Sequence, residues 1–240
     1  MHEPLFFNIP LFYYFVAGSI LLTRLPVIGR FFNVINTAIH EFGHVFTALI
    51  LDGEVIRVEL WHNSAGITAT RSKNLFLSAL VSFMGYPFAS SAAYFGCYLL
   101  SIGYDLHLIA GLSLLFLVML LLWIRNAFGI AWVVFFVIFN GWLIYQHSPM
   151  LMHYVALFYA AVLLGDSFMS AWVVLFLSIF RPTEAGDARN LQQITRVPAV
   201  FWAIIFVFYA TWIVYKIVYK NYIYLCTGFQ AEFYSTSALF

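Results

Sequence analysis

Two histidines and a glutamate in the second apolar stretch of the chain form the motif His40-Glu41-Phe42-Gly43-His44. In an α-helix, residues four positions apart differ by only about 40° around the axis. His40 and His44 would therefore face the same side of a helix, where both imidazoles could bind one zinc ion. Glu41 would project toward that side as well, and its carboxylate could act as the general base for a metal-bound water. The spacing predicts a zinc metallopeptidase centre.

The helix that carries this motif has one polar side. Asn33, Thr37, His40, His44 and Thr47 recur at spacings of four, three, four and three residues on an otherwise apolar helix. Polar side chains at membrane depth are costly and normally face a protein interior or a wet cavity. The stripe therefore predicts, independently of the motif, which side of this helix faces inward.

A catalytic zinc needs a third protein ligand and keeps one position open. Asp166 is the predicted third ligand, because it is the one acidic residue deep within an apolar segment and an intramembrane carboxylate is by default a functional residue. Its structural alternative is a buried acid that is paired with Arg125 or hydrogen-bonded to Ser or Tyr. Asp187, in a polar segment nearer the C-terminus, is the rival ligand, although it would also suit the N-cap of a helix that starts at Ala188.

The composition is that of an integral membrane protein. Hydrophobic residues make up 64% of the 240 residues and charged residues only 9%, whereas a soluble domain carries about 25% charged residues. A spanning helix needs roughly 20 predominantly apolar residues. The segments that meet this requirement approximately are Leu5–Leu22, Phe31–Leu51, Leu75–Ser101, His107–Ile124, Ile130–Gln146, Tyr154–Phe180 and Val200–Ile217.

We therefore predict an all-α fold, a polytopic transmembrane bundle of about seven helices that forms a single domain over residues 1–240. Two segments are predicted to lie outside the membrane. Val55–Leu60 and Ile67–Arg71 are rich in β-branched residues and predict a β-hairpin at about 55–71. Residues 181–198 predict a polar loop or surface helix that ends at Pro198.

These residues together resemble the site-2-protease family of membrane zinc peptidases, most closely its small bacterial peptidase-like branch. The resemblance extends over roughly residues 31–215. It rests on the motif at 40–44 and then, in order, on the segments Ala65-Gly66-Ile67-Thr68, Arg125–Gly129, Gly165-Asp166, Gly186-Asp187-Ala188 and Ile194–Pro198. The Asn-x-x-Pro…Asp-Gly motif that supplies the third ligand in the family is not present around Asp166.

The resemblance implies a multi-pass protein of the bacterial cytoplasmic membrane with a zinc ion held by two histidines and one aspartate. It also implies cleavage of a polypeptide that spans the membrane or is tethered to it. The partners are then the lipid bilayer and this protein substrate. In the same frame, Arg125-Asn126 would either position substrate through the amide or have a structural role in the hairpin formed by the fourth and fifth predicted helices.

Other function classes were weighed against this one. A catalytically silent homologue that serves as a scaffold subunit of a membrane complex would keep the same motif. A transporter would use intramembrane ionisable residues, but here they concentrate on one helix at zinc-ligand spacing and no inverted repeat is visible. A di-iron lipid-modifying enzyme needs several histidine clusters, and only His40 and His44 are paired. The net charge of +1 gives no basic field for nucleic acid.

Overall fold

The structure, a computed structural model, describes residues 11–26 and 28–220. Residues 5–10 of the first predicted segment lie outside the described part. Within it, the chain forms eight α-helices and one two-stranded sheet. The helices are α1 (Leu11–Thr23), α2 (Ile28–Ile50), α3 (Leu75–Ser101), α4 (Asp105–Leu122), α5 (Ala127–Tyr145), α6 (Pro149–Phe180), α7 (Gly186–Thr195) and α8 (Ala199–Tyr219); the strands are β1 (Glu54–Leu60) and β2 (Gly66–Arg71).

Local sequence signals explain several helix ends. Asn74 caps α3, because its Oδ1 accepts a hydrogen bond from the Leu77 amide at 2.9 Å. Ser148 caps α6 in the same way and is followed by Pro149 at the first helical position, where the missing amide hydrogen costs nothing. The α7 helix ends where Arg196 adopts a left-handed backbone conformation, and Pro198 separates it from α8.

Five of these helices are long and apolar enough to cross a membrane, namely α3, α4, α5, α6 and α8, and α1 together with α2 would make a sixth. The predicted helical bundle with a small hairpin is confirmed. The remaining helix, α7, is the polar segment 186–195, so the predicted polar loop is largely helical.

The sheet has one closed edge. Strands β1 and β2 are antiparallel, with Val58 opposite Thr68 and Leu60 opposite Gly66. On its other side, β1 is covered by the connection between α4 and α5, because the Val58 amide donates to Trp123 O at 2.9 Å and Val58 O accepts from the Arg125 amide at 3.3 Å. Asn126 extends this edge, since its side-chain amide both accepts from and donates to the backbone of Leu60.

These bonds determine which main-chain groups of β2 face outward. In an antiparallel ladder, the backbone groups of successive residues point alternately toward and away from the partner strand. Val58 and Leu60 use theirs on the α4–α5 connection, so the residues opposite them, Thr68 and Gly66, direct their N–H and C=O groups away from β1. The open edge of this sheet within the described residues therefore belongs to β2.

The hairpin lies along α2 instead of projecting beyond its end. Its turn reaches the first half of the helix, where the Thr37 hydroxyl donates to Ser64 O at 3.0 Å and the Ser64 hydroxyl donates to Arg30 O at 3.1 Å. Near the other end of α2, the Gly53 amide donates to Ala48 O at 2.8 Å. The polar side of α2 is thus covered by protein, and the hairpin forms one wall beside it.

Candidate metal centre

The two motif histidines meet on the inward side of α2, as their spacing predicts. The Nε2 atoms of His40 and His44 lie 3.2 Å apart, with their rings nearly perpendicular. His44 is buried and its Nδ1 lies 2.7 Å from Val81 O in α3. Because a neutral imidazole with its proton on Nδ1 presents a lone pair on Nε2, this bond prepares His44 to bind a metal through Nε2.

Asp187 completes the cluster. Its Oδ2 atom lies 3.1 Å from His40 Nε2 and 3.2 Å from His44 Nε2. Burial by itself would raise the pKa of the Asp187 carboxyl, but the adjacent imidazoles of His44 and His40 hold that pKa well below its usual range. Asp187 is therefore ionised, as a metal ligand must be.

Asp166 is the predicted ligand that the structure does not bring to the histidines. It is buried in α6, beside Thr23 and Arg24. The neighbouring Gly165 packs against α1, where a Cβ atom on it would lie 3.0 Å from the side chain of Ile20. Asp166 therefore belongs to the contact between α6 and α1, and Asp187 occupies the position expected for it.

The structure also shows what Asp187, Arg125 and Asn126 contact. Asp187 lies in the first turn of α7 but is not the N-cap of that helix, because α7 begins at Gly186 and the Asp187 carboxylate contacts the histidines. Arg125 does not pair with Asp166, since its guanidinium donates to backbone carbonyls at the end of α4 and just after it, including Leu120 O and Ile124 O. Asn126 binds the backbone of Leu60 and so attaches β1 to the start of α5, a contact that the sequence did not predict.

The donor set suits zinc. Tetrahedral ligands at zinc distances of about 2.0–2.1 Å are about 3.3 Å from one another, and the three donor atoms here are 3.1–3.2 Å apart. Two imidazole nitrogens and one carboxylate oxygen are a known catalytic zinc set that leaves the fourth position open. Among the described residues, His40, His44 and Asp187 are the one group of three or more such side chains close enough to hold a metal ion.

Glu41 lies next to this cluster on α2 and is 95% buried. Its Oε2 accepts a hydrogen bond of 2.6 Å from the hydroxyl of Thr68 in β2. The backbone of β2 presses against the same side chain, because a Cβ atom on Gly66 would lie 2.6 Å from Glu41 Cγ. Only glycine fits this approach.

A second glycine lets α3 reach the histidines. A Cβ atom on Gly85 would lie 2.7 Å from His40 Nε2 and 2.7 Å from His44 Cε1. The ring of the next residue, Tyr86, packs edge-on against His40 with 4.6 Å between ring centroids. Helix α3 thus fixes both imidazoles, His40 by the Tyr86 ring and His44 by the Val81 carbonyl.

A cavity of about 410 Å³ gives access to these groups. Its walls come from α2, α3, β2, α6 and α7, and include Asn36, Thr68, Tyr86, Ser170 and Asp187. The cavity is therefore formed where the outer strand of the hairpin faces the cluster, and it is large enough for several residues of an extended chain.

A family model described as Peptidase M50B-like matches residues 13–217. The chain belongs to this family. The resemblance to the site-2 proteases is thereby confirmed, since this is their family. No curated protein and no solved structure matches the chain.

The M50B-like match runs from α1 into α8, and so includes every element that builds the cluster and the cavity. The M50 peptidases are membrane metallopeptidases, and the helices long enough to span a membrane agree with that class. Sequence reasoning missed three site residues of this M50B-like chain: Val81, Gly85 and the hydroxyl of Thr68. Only Gly85 carried a signal, as a glycine inside a long apolar segment.

Proposed function

We propose that this chain is an intramembrane zinc metalloprotease that hydrolyses a peptide bond in a membrane-embedded or membrane-tethered polypeptide. The observation that carries the proposal is the convergence of His40, His44 and Asp187 on one point with Glu41 beside them at the cavity. A zinc ion bound there would supply a Lewis acid for the scissile carbonyl and lower the pKa of the attacking water.

The chain's own residues account for the remaining chemistry. Glu41 is placed to accept the proton of the attacking water and to pass it to the leaving amine, as a general base and then a general acid. Glu41 is largely buried but lines the cavity, and the hydroxyl of Thr68 donates a hydrogen bond to one of its carboxylate oxygens. His40, His44 and Asp187 serve as ligands, and Val81 and Tyr86 orient the imidazoles.

The substrate must be extended at the bond that is cut, because a helical peptide group is shielded by its own hydrogen bonds. The open edge of β2 offers the main-chain groups of Gly66 and Thr68 to such a chain. An extended segment that pairs there by β-augmentation would need no particular sequence. Asn36 lines the same cavity, and its buried Oδ1 atom has no hydrogen-bond partner among the described residues, so it suits a substrate amide.

The alternatives differ in what they require of Glu41. A silent scaffold needs no general base, and a transporter would need polar groups that cross the bundle. A silent homologue would keep Glu41 with the rest of the motif, but only the enzyme makes use of a glutamate held between the hairpin and three metal-ligand side chains. The bacterial cytoplasmic membrane is the location that we propose.

The test uses purified protein reconstituted in liposomes together with single-span reporter peptides whose apolar segment is about 20 residues long and interrupted by Gly and Asn. The proposal expects one bound zinc per chain, cleavage within the apolar segment, loss of cleavage on chelation and its recovery with added zinc. The double variant His40→Ala/His44→Ala should bind no zinc. Cleavage that persists in this variant would refute the proposal.

A further inference from the structure

Thr68 contacts Glu41 through its side chain. The Thr68 hydroxyl lies 2.6 Å from Glu41 Oε2, to which it donates, and 3.4 Å from Glu41 O. The terminal torsion angle of a glutamate is otherwise broadly distributed. A hydrogen bond from a positioned hydroxyl restricts the rotation of the carboxylate about this bond. The strand next to the cavity therefore determines how the carboxylate of Glu41 is oriented.

The main chain of Thr68 faces in a different direction from its hydroxyl. Since Thr68 is opposite Val58, whose backbone groups bind Trp123 and Arg125, the N–H and C=O of Thr68 point to the open edge of β2. One residue thus presents its backbone to the edge where an extended chain would pair and its side chain to the carboxylate that would accept the proton.

We propose that Thr68 is a positioning residue for Glu41, through which pairing of a substrate strand with β2 fixes the orientation of the general base. This inference rests on the proposed function. Strand β2 packs against α2, but within the sheet it is paired on one side only, with β1, which Asn126 in turn attaches to the start of α5. A substrate strand on its open side would hold β2 from both sides and fix the distance from Thr68 to Glu41.

The proposal predicts that loss of the Thr68 hydroxyl changes kcat and not KM. Thr68→Val removes the hydroxyl but keeps the backbone groups, the branched shape and the strand preference of the residue. We therefore expect kcat to fall by about 10- to 100-fold, the scale on which orienting partners of a reactive group act, while KM changes little. Thr68→Ser keeps a hydroxyl and should restore most of the lost kcat. Thr211→Val is the matched control, because Thr211 is an exposed threonine of α8 that does not line the cavity.

A second measurement does not depend on cleavage. Infrared spectra of zinc-loaded protein with ¹³C-labelled glutamate carboxyls report the hydrogen bonding of each carboxylate, and Glu41→Gln identifies the band of Glu41 among the six glutamates of the chain. We expect this band to shift in Thr68→Val and to stay at its wild-type position in Thr211→Val. Thr68→Ser should bring the band back toward the wild-type position.

The outcomes are distinct. An unshifted Glu41 band in Thr68→Val would overturn the proposal, and so would a wild-type kcat in that variant when the wild-type protein cleaves the reporter; in both cases the protease function would stand. A wild-type protein that binds no zinc and cleaves no reporter would overturn both. A fall in kcat with a shifted band, rescued by serine, supports Thr68 as the positioning residue.

Discussion

Oδ2 of Asp187 lies 3.1 Å from Nε2 of His40, although the two residues belong to helices near opposite ends of the chain. The contact exists because α7 packs against α3, the helix that also packs against α2 and approaches the histidines at Gly85. This arrangement makes the short polar helix part of the candidate metal centre, and it predicts which aspartate should affect zinc binding.

Replacement of each aspartate in turn by asparagine tests that arrangement. Asp187→Asn should weaken zinc binding by more than about 100-fold, since even partners outside the ligand set cost 10–100-fold. Asp166→Asn should leave zinc affinity unchanged, because Asp166 lies beside Thr23 and Arg24. Competition with a chelator of known affinity measures both variants. The reverse pattern, with zinc lost only in Asp166→Asn, would restore Asp166 as the ligand.

Gly85 should be intolerant of a methyl group. In Gly85→Ala the new Cβ atom would lie 2.7 Å from His40 Nε2, so the imidazoles must move. We expect the free energy of unfolding to fall by about 1–3 kcal/mol, which is typical of overpacking. Zinc binding should weaken as well. Gly111→Ala is the control, because nothing lies within 4 Å of a Cβ atom there. Thermal unfolding in detergent and zinc content measure both. Equal behaviour of the two variants would contradict the close packing of α3 on the histidines.

Proline substitution distinguishes the two strands of the hairpin. Val58→Pro removes a bond to Trp123 O at a fully buried residue and should prevent folding. Thr68→Pro removes an outward N–H at the open edge and should leave fold and zinc intact. Relative to Thr68→Val, which already lacks the hydroxyl, it should lower kcat/KM by at least about 2- to 12-fold, the value of one hydrogen bond of 0.5–1.5 kcal/mol.

Reporter cleavage, circular dichroism and zinc content together measure these variants. Equal kcat/KM for Thr68→Pro and Thr68→Val would rule out pairing of the substrate with the N–H of Thr68.

The sequence predicted those parts of the site that depend on local geometry. The positions of His40, Glu41 and His44 follow from helical periodicity, and the hairpin follows from two β-branched runs around a glycine-containing turn. Both features involve neighbours along the chain, so no knowledge of the tertiary structure was needed to expect them.

The identity of the third candidate ligand depends on the tertiary structure. Asp166 was preferred because it is deep in an apolar segment, where a carboxylate is energetically costly and therefore expected to be functional. The depth of a residue does not show which neighbouring helix its side chain faces. Asp187 sits in a polar segment that looked like a surface element, and only the packing of α7 brings it to His40 and His44. In the same way, Asn126 and Thr68 owe their roles to contacts across the chain.

Glu41→Gln tests the central claim most directly. Glutamine keeps the shape of the side chain and can still accept the Thr68 hydrogen bond, but it cannot accept a proton at neutral pH. Measured on zinc-loaded protein in liposomes with the single-span reporter, the variant should retain zinc and a wild-type thermal unfolding transition, and its cleavage rate should fall by about 10²- to 10⁴-fold, the contribution of a general base. Cleavage at the wild-type rate with zinc still bound would contradict the metallopeptidase account.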